Sequence, residues 1–211
     1  MPERYFITAI HTDSGKTLVS TIFAQALHAD YWKPIQAGYP RDTDTVMPFL
    51  QNKKSRTHKE AYLLKAPMSP HAAARLENLE IHPENILMPE TENTLIVEGA
   101  GGILAPISDT YFVIDIAKKF DLEVVLVCNI YLGSINHSML TINELKRRKL
   151  NVRGIVFNGP ENSETEQFIL KHSGYPCLLR IKPEKKITQE IINRYAIELL
   201  ANLNLSSEKR G

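Results

Sequence analysis

Cysteine is almost absent from this chain, with two in 211 residues, Cys128 and Cys177. Nothing here resembles a disulfide framework or a zinc site, which fits a reducing, cytoplasmic setting. Each cysteine falls in an apolar run, at 124–128 and 177–181, and reads as a buried thiol behaving as a small hydrophobe. The seven histidines are scattered, with no close pair at metal-ligand spacing. Charge of one sign is lacking too: 25 Lys and Arg stand against 24 Asp and Glu, so no nucleic acid or anionic membrane is expected as main partner. No apolar stretch approaches the roughly 20 residues of a membrane span. The first residues run directly into a strand, so no secretory leader is expected. What remains is ordinary globular material, 43% hydrophobic and 23% charged. The expectation is one domain over residues 1–211, with a polar tail from about 204 that frays over 206–211.

Short apolar runs alternate with amphipathic ones. Residues 5–10 predict a strand. Leu18, Ile22 and Ala26, with Val19, Phe23 and Leu27, recur at helical spacing and predict a helix to about Ala29. Residues 31–33 form a second strand, stopped by Pro34, and a short helix runs from 42 to about 50 with Asp42 or Thr43 as N-cap. Residues 51–60 carry Lys53, Lys54, Arg56 and Lys59 and read as a solvated loop. Ser69-Pro70 opens another helix. Beyond it, strands at 94–97, 124–129, 152–158 and 177–181 alternate with helices at 112–120, 134–149, 163–172 and 188–200. This order, with strands apolar on both faces, predicts a three-layer α/β fold: a mainly parallel sheet flanked by helices on both faces, of the phosphate-loop NTPase type. Ligands in such folds bind outside the carboxyl ends of the strands. Attention therefore falls on the residues just after Ile10, Lys33, Val97, Asn129 and Asn158.

After the first strand comes His11-Thr12-Asp13-Ser14-Gly15-Lys16-Thr17. Backbone N–H groups at a helix N-terminus favour anions, Gly15 permits close approach, Lys16 brings a charge to the β/γ phosphates and Thr17 a hydroxyl to Mg²⁺. The strict pattern is broken, because Ile10 stands where the leading glycine belongs. After the second strand, Lys33 either neutralises a second anion or is a plain surface lysine. Asp44 is either a helix-start charge or a Mg²⁺ ligand. Glu98, before Gly99-Ala100-Gly101-Gly102, fits a second metal ligand at a strand end. Gly133 and Ser134 open a helix that suits a carboxylate, unless Ser134 is an ordinary N-cap. Asn158, before Gly159, is either an adenine-reading amide or part of a turn. The Asn-Lys-x-Asp of guanine readers is absent.

Five stretches in this order resemble the dethiobiotin synthetase family: Thr12-Asp13-Ser14-Gly15-Lys16-Thr17, Lys33-Pro34-Ile35-Gln36-Ala37-Gly38, Ser69-Pro70-His71-Ala72-Ala73, Val97-Glu98-Gly99-Ala100-Gly101-Gly102 and Leu132-Gly133-Ser134-Ile135-Asn136-His137. The resemblance implies a cytoplasmic homodimer in biotin synthesis that joins CO₂ (or bicarbonate) to 7,8-diaminopelargonate with ATP as co-substrate and Mg²⁺ as cofactor. A carbamate forms, ATP phosphorylates it to a mixed anhydride, and the second amine closes the ring and expels phosphate. Carried over by match, Lys16, Lys33, Thr12 and Asp13 serve catalysis. Asp13, Ser14, Gly15, Lys16, Thr17, Leu18 and Asn158 bind ATP. Lys33, Ala37, Gly101, Gly133, Ser134, Ile135 and Asn136 bind substrate, the last four holding its carboxylate across the dimer interface. Thr17, Asp44 and Glu98 hold the metal. The chain departs from the family at Ala9 (usually Gly), Asp13 (usually Glu), Ser14 (usually aliphatic), Ala37 (usually Ser or Thr) and Tyr131 (basic in some members). Leu178-Leu179-Arg180-Ile181 stands in place of a Gly-x-Ile-Pro. The alternative is a partition or septum-positioning ATPase of related fold. Those proteins usually carry an extra lysine where this chain has Ile10, His11 and Thr12.

Overall fold

The computed structural model describes residues 2–208, with side chains described as far as residue 204. The chain runs β1 (Arg4–Ala9), α1 (Lys16–Ala26), β2 (Asp30–Trp32), β3 (Ile35–Ala37) and α2 (Asp42–Val46), which tightens into a 3₁₀ turn at Met47–Phe49. There follow β4 (Thr57–His58), β5 (Tyr62–Leu64), α3 (Pro70–Leu76), β6 (Leu95–Glu98), α4 (Val113–Lys119) and β7 (Glu123–Asn129). The chain closes with α5 (Ser134–Arg147), β8 (Val152–Asn158), α6 (Ser163–Ser173), β9 (Cys177–Ile181) and α7 (Gln189–Glu208). Seven strands form one sheet in the order β4-β2-β6-β1-β7-β8-β9, and every pair in it is parallel.

Alternation along the strands builds two cores, because successive side chains leave a sheet on opposite faces. Phe6, Val97, Leu126 and Phe157 pack on the face that carries Ile114 of α4 and Ile142 of α5. Tyr5, Ile7, Ile96 and Val125 pack on the other face, under Ile22 and Phe23 of α1 and Leu199 of α7. All of these apolar strand residues are at most 2% exposed, so each contributes roughly 1.5–3 kcal/mol by leaving water. The chain goes from β1 to β2 on one side, returns to β6 beside β1, then crosses to β7 on the other side. The loop after β1 therefore opens at the switch in strand order, where open α/β sheets bind ligands.

Several expectations are corrected. β3 and β5 form a separate two-stranded parallel sheet that the sequence reading missed, since three residues are too few to show a period. The loop at 51–60 is not wholly solvated: its residues 57–58 are β4, at the sheet edge, and Glu60 is buried and accepts from Thr43 Oγ1 at 2.7 Å. The N-cap of α2 is Arg41, which places Asp42 and Thr43 inside the first turn. Cys177 is exposed rather than buried, because it begins edge strand β9; Cys128 is buried as expected. The last helix runs to Glu208, past its expected end at Leu200, and residues 209–211 lie outside the described residues.

Candidate active site

The loop between β1 and α1 is shaped from within. Asp13 (φ 59°) and Gly15 (φ 94°) both take left-handed conformations, which turn the chain into the start of α1. Ser14 is fully buried, and its hydroxyl donates to the His11 carbonyl at 3.0 Å. Asn158, at the end of β8, donates from Nδ2 to the Ser14 carbonyl at 2.9 Å. A Cβ on Gly15 would stand 2.3 Å from that same Nδ2, so glycine is required twice over, by φ and by contact. These bonds hold the loop although Ile10 occupies the place of the usual leading glycine. Lys16, the first residue of α1, is 7% exposed. Burial is the main reason its ammonium is lowered from 10.5 to about 8; Lys33 adds to the drop, while Glu98 and Asp13 oppose it.

A second cluster forms at the ends of β2 and β6. Their register sets Trp32 beside Val97, so the next residues, Lys33 and Glu98, emerge side by side. Glu98 is 1% exposed, and both of its oxygens are engaged. Oε1 accepts from Thr17 Oγ1 at 3.0 Å and from Lys33 Nζ at 3.2 Å, and Oε2 accepts from the Tyr31 hydroxyl at 3.0 Å. Lys33 is also ion-paired with Asp42. Burial, then the charge of Glu98, pushes the Tyr31 phenol well above its ordinary range, so it stays a donor. The sequence reading missed Tyr31 and gave Asp42 only a capping role. A signal for Tyr31 was present, since it precedes Lys33 by two and shares its face of the strand.

These groups face a cavity of about 670 Å³. Of the expected site residues, Thr12, Asp13, Gly15, Lys16, Thr17, Lys33, Ala37, Glu98 and Gly101 line it. Gln36, Tyr39, Asp42 and Ser69 line it as well, framed by β3 and the start of α3. Gln36 braces that wall, accepting from the Asp42 N–H at 3.1 Å and donating to the Gly38 carbonyl at 3.0 Å. Other expected residues lie elsewhere. Asp44 is not on the wall: its carboxylate takes the exposed Arg41 guanidinium, at 3.0 Å from Nε. Leu18 packs toward the α1 and α7 core, Ser14 turns into its own loop, and Asn158 sits behind the loop with its amide already given to Ser14. Gly133, Ile135 and Asn136 line a separate hollow of about 630 Å³, together with Tyr131 and Pro160. Ser134 is buried rather than on the wall of that hollow, with no partner for its hydroxyl among the described residues.

A larger hollow of about 1020 Å³ opens around Arg4, Asp30 and Lys53. Its buried carboxylate, Asp30, is saturated by His58, Thr91, Asn93 and the Arg56 N–H, which leaves it a structural anchor.

Among the described residues, no group of three or more His, Cys, Asp or Glu side chains could hold a metal on its own. Mg²⁺ takes one or two protein oxygens and completes its shell with water and phosphate, so a pair of side-chain oxygens is enough for it. Thr17 Oγ1 and Glu98 Oε1 are 3.0 Å apart. Neighbouring ligands of an octahedral ion with bonds of 2.0–2.1 Å stand about 2.9 Å apart, so the pair fits. Among the described residues no helix is long and apolar enough to cross a membrane.

Residues 3–191 match the family model described as an AAA domain. Among solved structures, a ParA family ATPase from Chlorobium tepidum is similar at TM-score 0.54 and 15% identity, covering 98% of this chain and 97% of that one. The septum site-determining protein MinD from Pyrococcus horikoshii, complexed with Mg-ADP, gives TM-score 0.53 and 14% identity, covering 99% and 96%. At such identities the likeness is one of phosphate-loop fold. Sequence relatives reach much further. The ATP-dependent dethiobiotin synthetase BioD of Cytophaga hutchinsonii is 56% identical over 95% of this chain and 98% of its own length. That of Christiangramia forsetii is 45% identical over 93% and 95%. Identity of that extent over nearly the full length of both chains places the chain in the dethiobiotin synthetase family.

Proposed function

We propose that this protein is an ATP-dependent dethiobiotin synthetase that closes the ureido ring of dethiobiotin from 7,8-diaminopelargonate and CO₂. The observation that carries the reading is the convergence of two buried lysines, Lys16 and Lys33, on one cavity, with Thr17 and Glu98 between them. One lysine serves the ATP phosphates and the other the carbamate. No nucleophilic side chain is needed, because the substrate amines supply the nucleophiles. One amine attacks CO₂ and loses a proton, giving the carbamate. A carbamate oxygen then attacks the γ-phosphorus, the bond to the β-phosphate oxygen breaks, and ADP leaves. The second amine attacks the carbonyl carbon of the mixed anhydride, phosphate departs, and the amine proton is lost as the ring closes.

The chain supplies positioning and charge at each stage. Backbone N–H groups at the start of α1 and the Lys16 ammonium hold the triphosphate. Lys33, aimed by Asp42 and Glu98, neutralises the carbamate and the transferring phosphoryl. Thr12 and Asp13 line the reacting centre, and Ala37 and Gly101 form the wall against the diamine. Asn158 serves the nucleotide site from behind, by bracing the loop through Ser14, and Leu18 serves it by anchoring the start of α1 in the core. Mg²⁺, held by Thr17 and Glu98 and joined by Asp44 once it leaves Arg41, would neutralise charge between the phosphates. The separate hollow at residues 133–136 supports a homodimer in which Gly133, Ser134, Ile135 and Asn136 of one copy hold the substrate carboxylate over the cavity of the other.

The test is ADP release with diaminopelargonate and bicarbonate present, or with either withheld. ADP release that requires both is expected. Hydrolysis indifferent to both, or stimulated by DNA or lipid vesicles instead, overturns this reading and favours a partition-type ATPase.

A further inference from the structure

Tyr31 lies at the middle of β2 with 0% of its surface exposed. Phenylalanine would fill the same slot, so packing alone does not call for a hydroxyl. What the hydroxyl adds is one hydrogen bond, 3.0 Å long, to Glu98 Oε2. The other carboxylate oxygen, Oε1, is the one that meets Thr17 and Lys33. A glutamate's terminal torsion is broad and two-fold, so nothing intrinsic to Glu98 fixes the angle at which its carboxylate faces the cavity. Tyr31 stands on the far side of the carboxylate from Thr17 and fixes that angle.

We propose that Tyr31 is a positioning residue: its hydroxyl pins Oε2 of Glu98 and so presents Oε1, in fixed orientation, to the cation beside Thr17. The inference rests on the reading of Glu98 as a Mg²⁺-side carboxylate. With that donor gone, Oε2 loses its partner and the carboxylate is free to turn about its terminal torsion, held only through Oε1 by Thr17 at 3.0 Å and the Lys33 ammonium at 3.2 Å. Partners that orient a ligating carboxylate from behind are typically worth about 10–100-fold in metal affinity.

The experiment is calorimetric titration of ADP into the whole protein at stepped Mg²⁺ concentrations, with thermal melts of the same samples. For Tyr31→Phe the Mg²⁺ concentration that gives half-maximal ADP affinity is expected to rise about 10-fold, at the low end of that range. ADP binding without Mg²⁺ is expected to stay the same. Tyr31→Met, a differently shaped side chain also lacking the hydroxyl, keeps the test open if Phe does not fold there, and the same rise is expected. A lowered melting temperature with an unmoved Mg²⁺ midpoint would make Tyr31 a packing residue and overturn the proposal. Glu98→Gln, run alongside, separates the two levels. If its Mg²⁺ midpoint is also unmoved, the metal reading of Glu98 fails. If Glu98→Gln shifts and neither Tyr31 variant does, the positioning role of Tyr31 fails alone.

Discussion

Lys16 and Lys33 enter one cavity with different neighbours, and the neighbours decide what each substitution does. Lys33 sits against Asp42 and Glu98, on the carbamate side. Lys33→Ala is therefore expected to abolish turnover while ATP still binds, and Lys16→Ala to remove both, as read by equilibrium binding beside ADP release. Lys33→Ala retaining nearly full activity would end the carbamate role. Lys16 also predicts a pH dependence. Its folded value of about 8 means that the proton needed to hold triphosphate is lost as pH rises past that point. ATP affinity measured from pH 6.5 to 9.5 should fall above about 8, and the fall should flatten in Lys16→Arg, since a guanidinium stays charged throughout. Stability runs the other way. Between about 8 and 10.5 the unfolded chain binds the extra proton, so the penalty for burying Lys16 is relieved as pH rises through that window. Asp42 and Asp44 divide on similar grounds. Asp42 is already committed to Lys33, whereas the Asp44 pair with Arg41 is exposed and weak. Asp44→Asn should accordingly raise the Mg²⁺ requirement; an unchanged requirement would pass the role to Asp42.

At the scale of elements, the strand-end architecture depends on close strand contacts that local sequence does not advertise. Gly154 in β8 is one. A Cβ there would stand 2.6 Å from Leu178 Cγ and 2.7 Å from the Pro176 carbonyl, so β9 would have to move. Gly154→Ala is expected to cost about 1–3 kcal/mol, seen as a drop in melting temperature of roughly 3–10 °C. An unchanged melt would show that β9 yields freely. The end of β8 carries Asn158, which braces the phosphate loop, so the same variant should also weaken ATP binding. The major helices and strands were legible from periodicity because each buries a continuous apolar stripe or run. β3, β4 and β5 were not, being two or three residues long and formed by pairing partners distant in sequence.

For the whole molecule, the separation of the two hollows makes a prediction about assembly. If the start of α5 at residues 133–136 of one copy completes the cavity of the other, two dead variants should rescue each other. Mixed after co-refolding, Lys16→Ala and Asn136→Ala subunits would form hybrids with one intact site and one doubly damaged site. Roughly a quarter of wild-type activity is expected from an equal mixture, as statistical pairing predicts. No recovery, with hybrids confirmed by mass, would place both hollows in the service of one copy. Leu132, fully exposed just before α5, is the apolar surface such an interface would cover.

The order of strands and helices, the parallel sheet, and the candidate positions at strand ends were already determined by the sequence, because burial on two faces and helical periodicity are local in the chain. The roles proposed for Lys16 and Thr17 were read from the turn that opens α1, and that of Glu98 from its place at the end of β6. Tertiary structure alone decided how these residues meet. The β2–β6 register set Lys33 beside Glu98 and put the Tyr31 hydroxyl behind it, while the placement of α2 paired Asp42 with Lys33 and left Asp44 to Arg41. It also showed that a loop lacking its leading glycine is held instead by Asn158, a residue 144 positions from Ser14. Hydrogen bonds of that span depend on which strands become neighbours, and no local pattern in the chain records that.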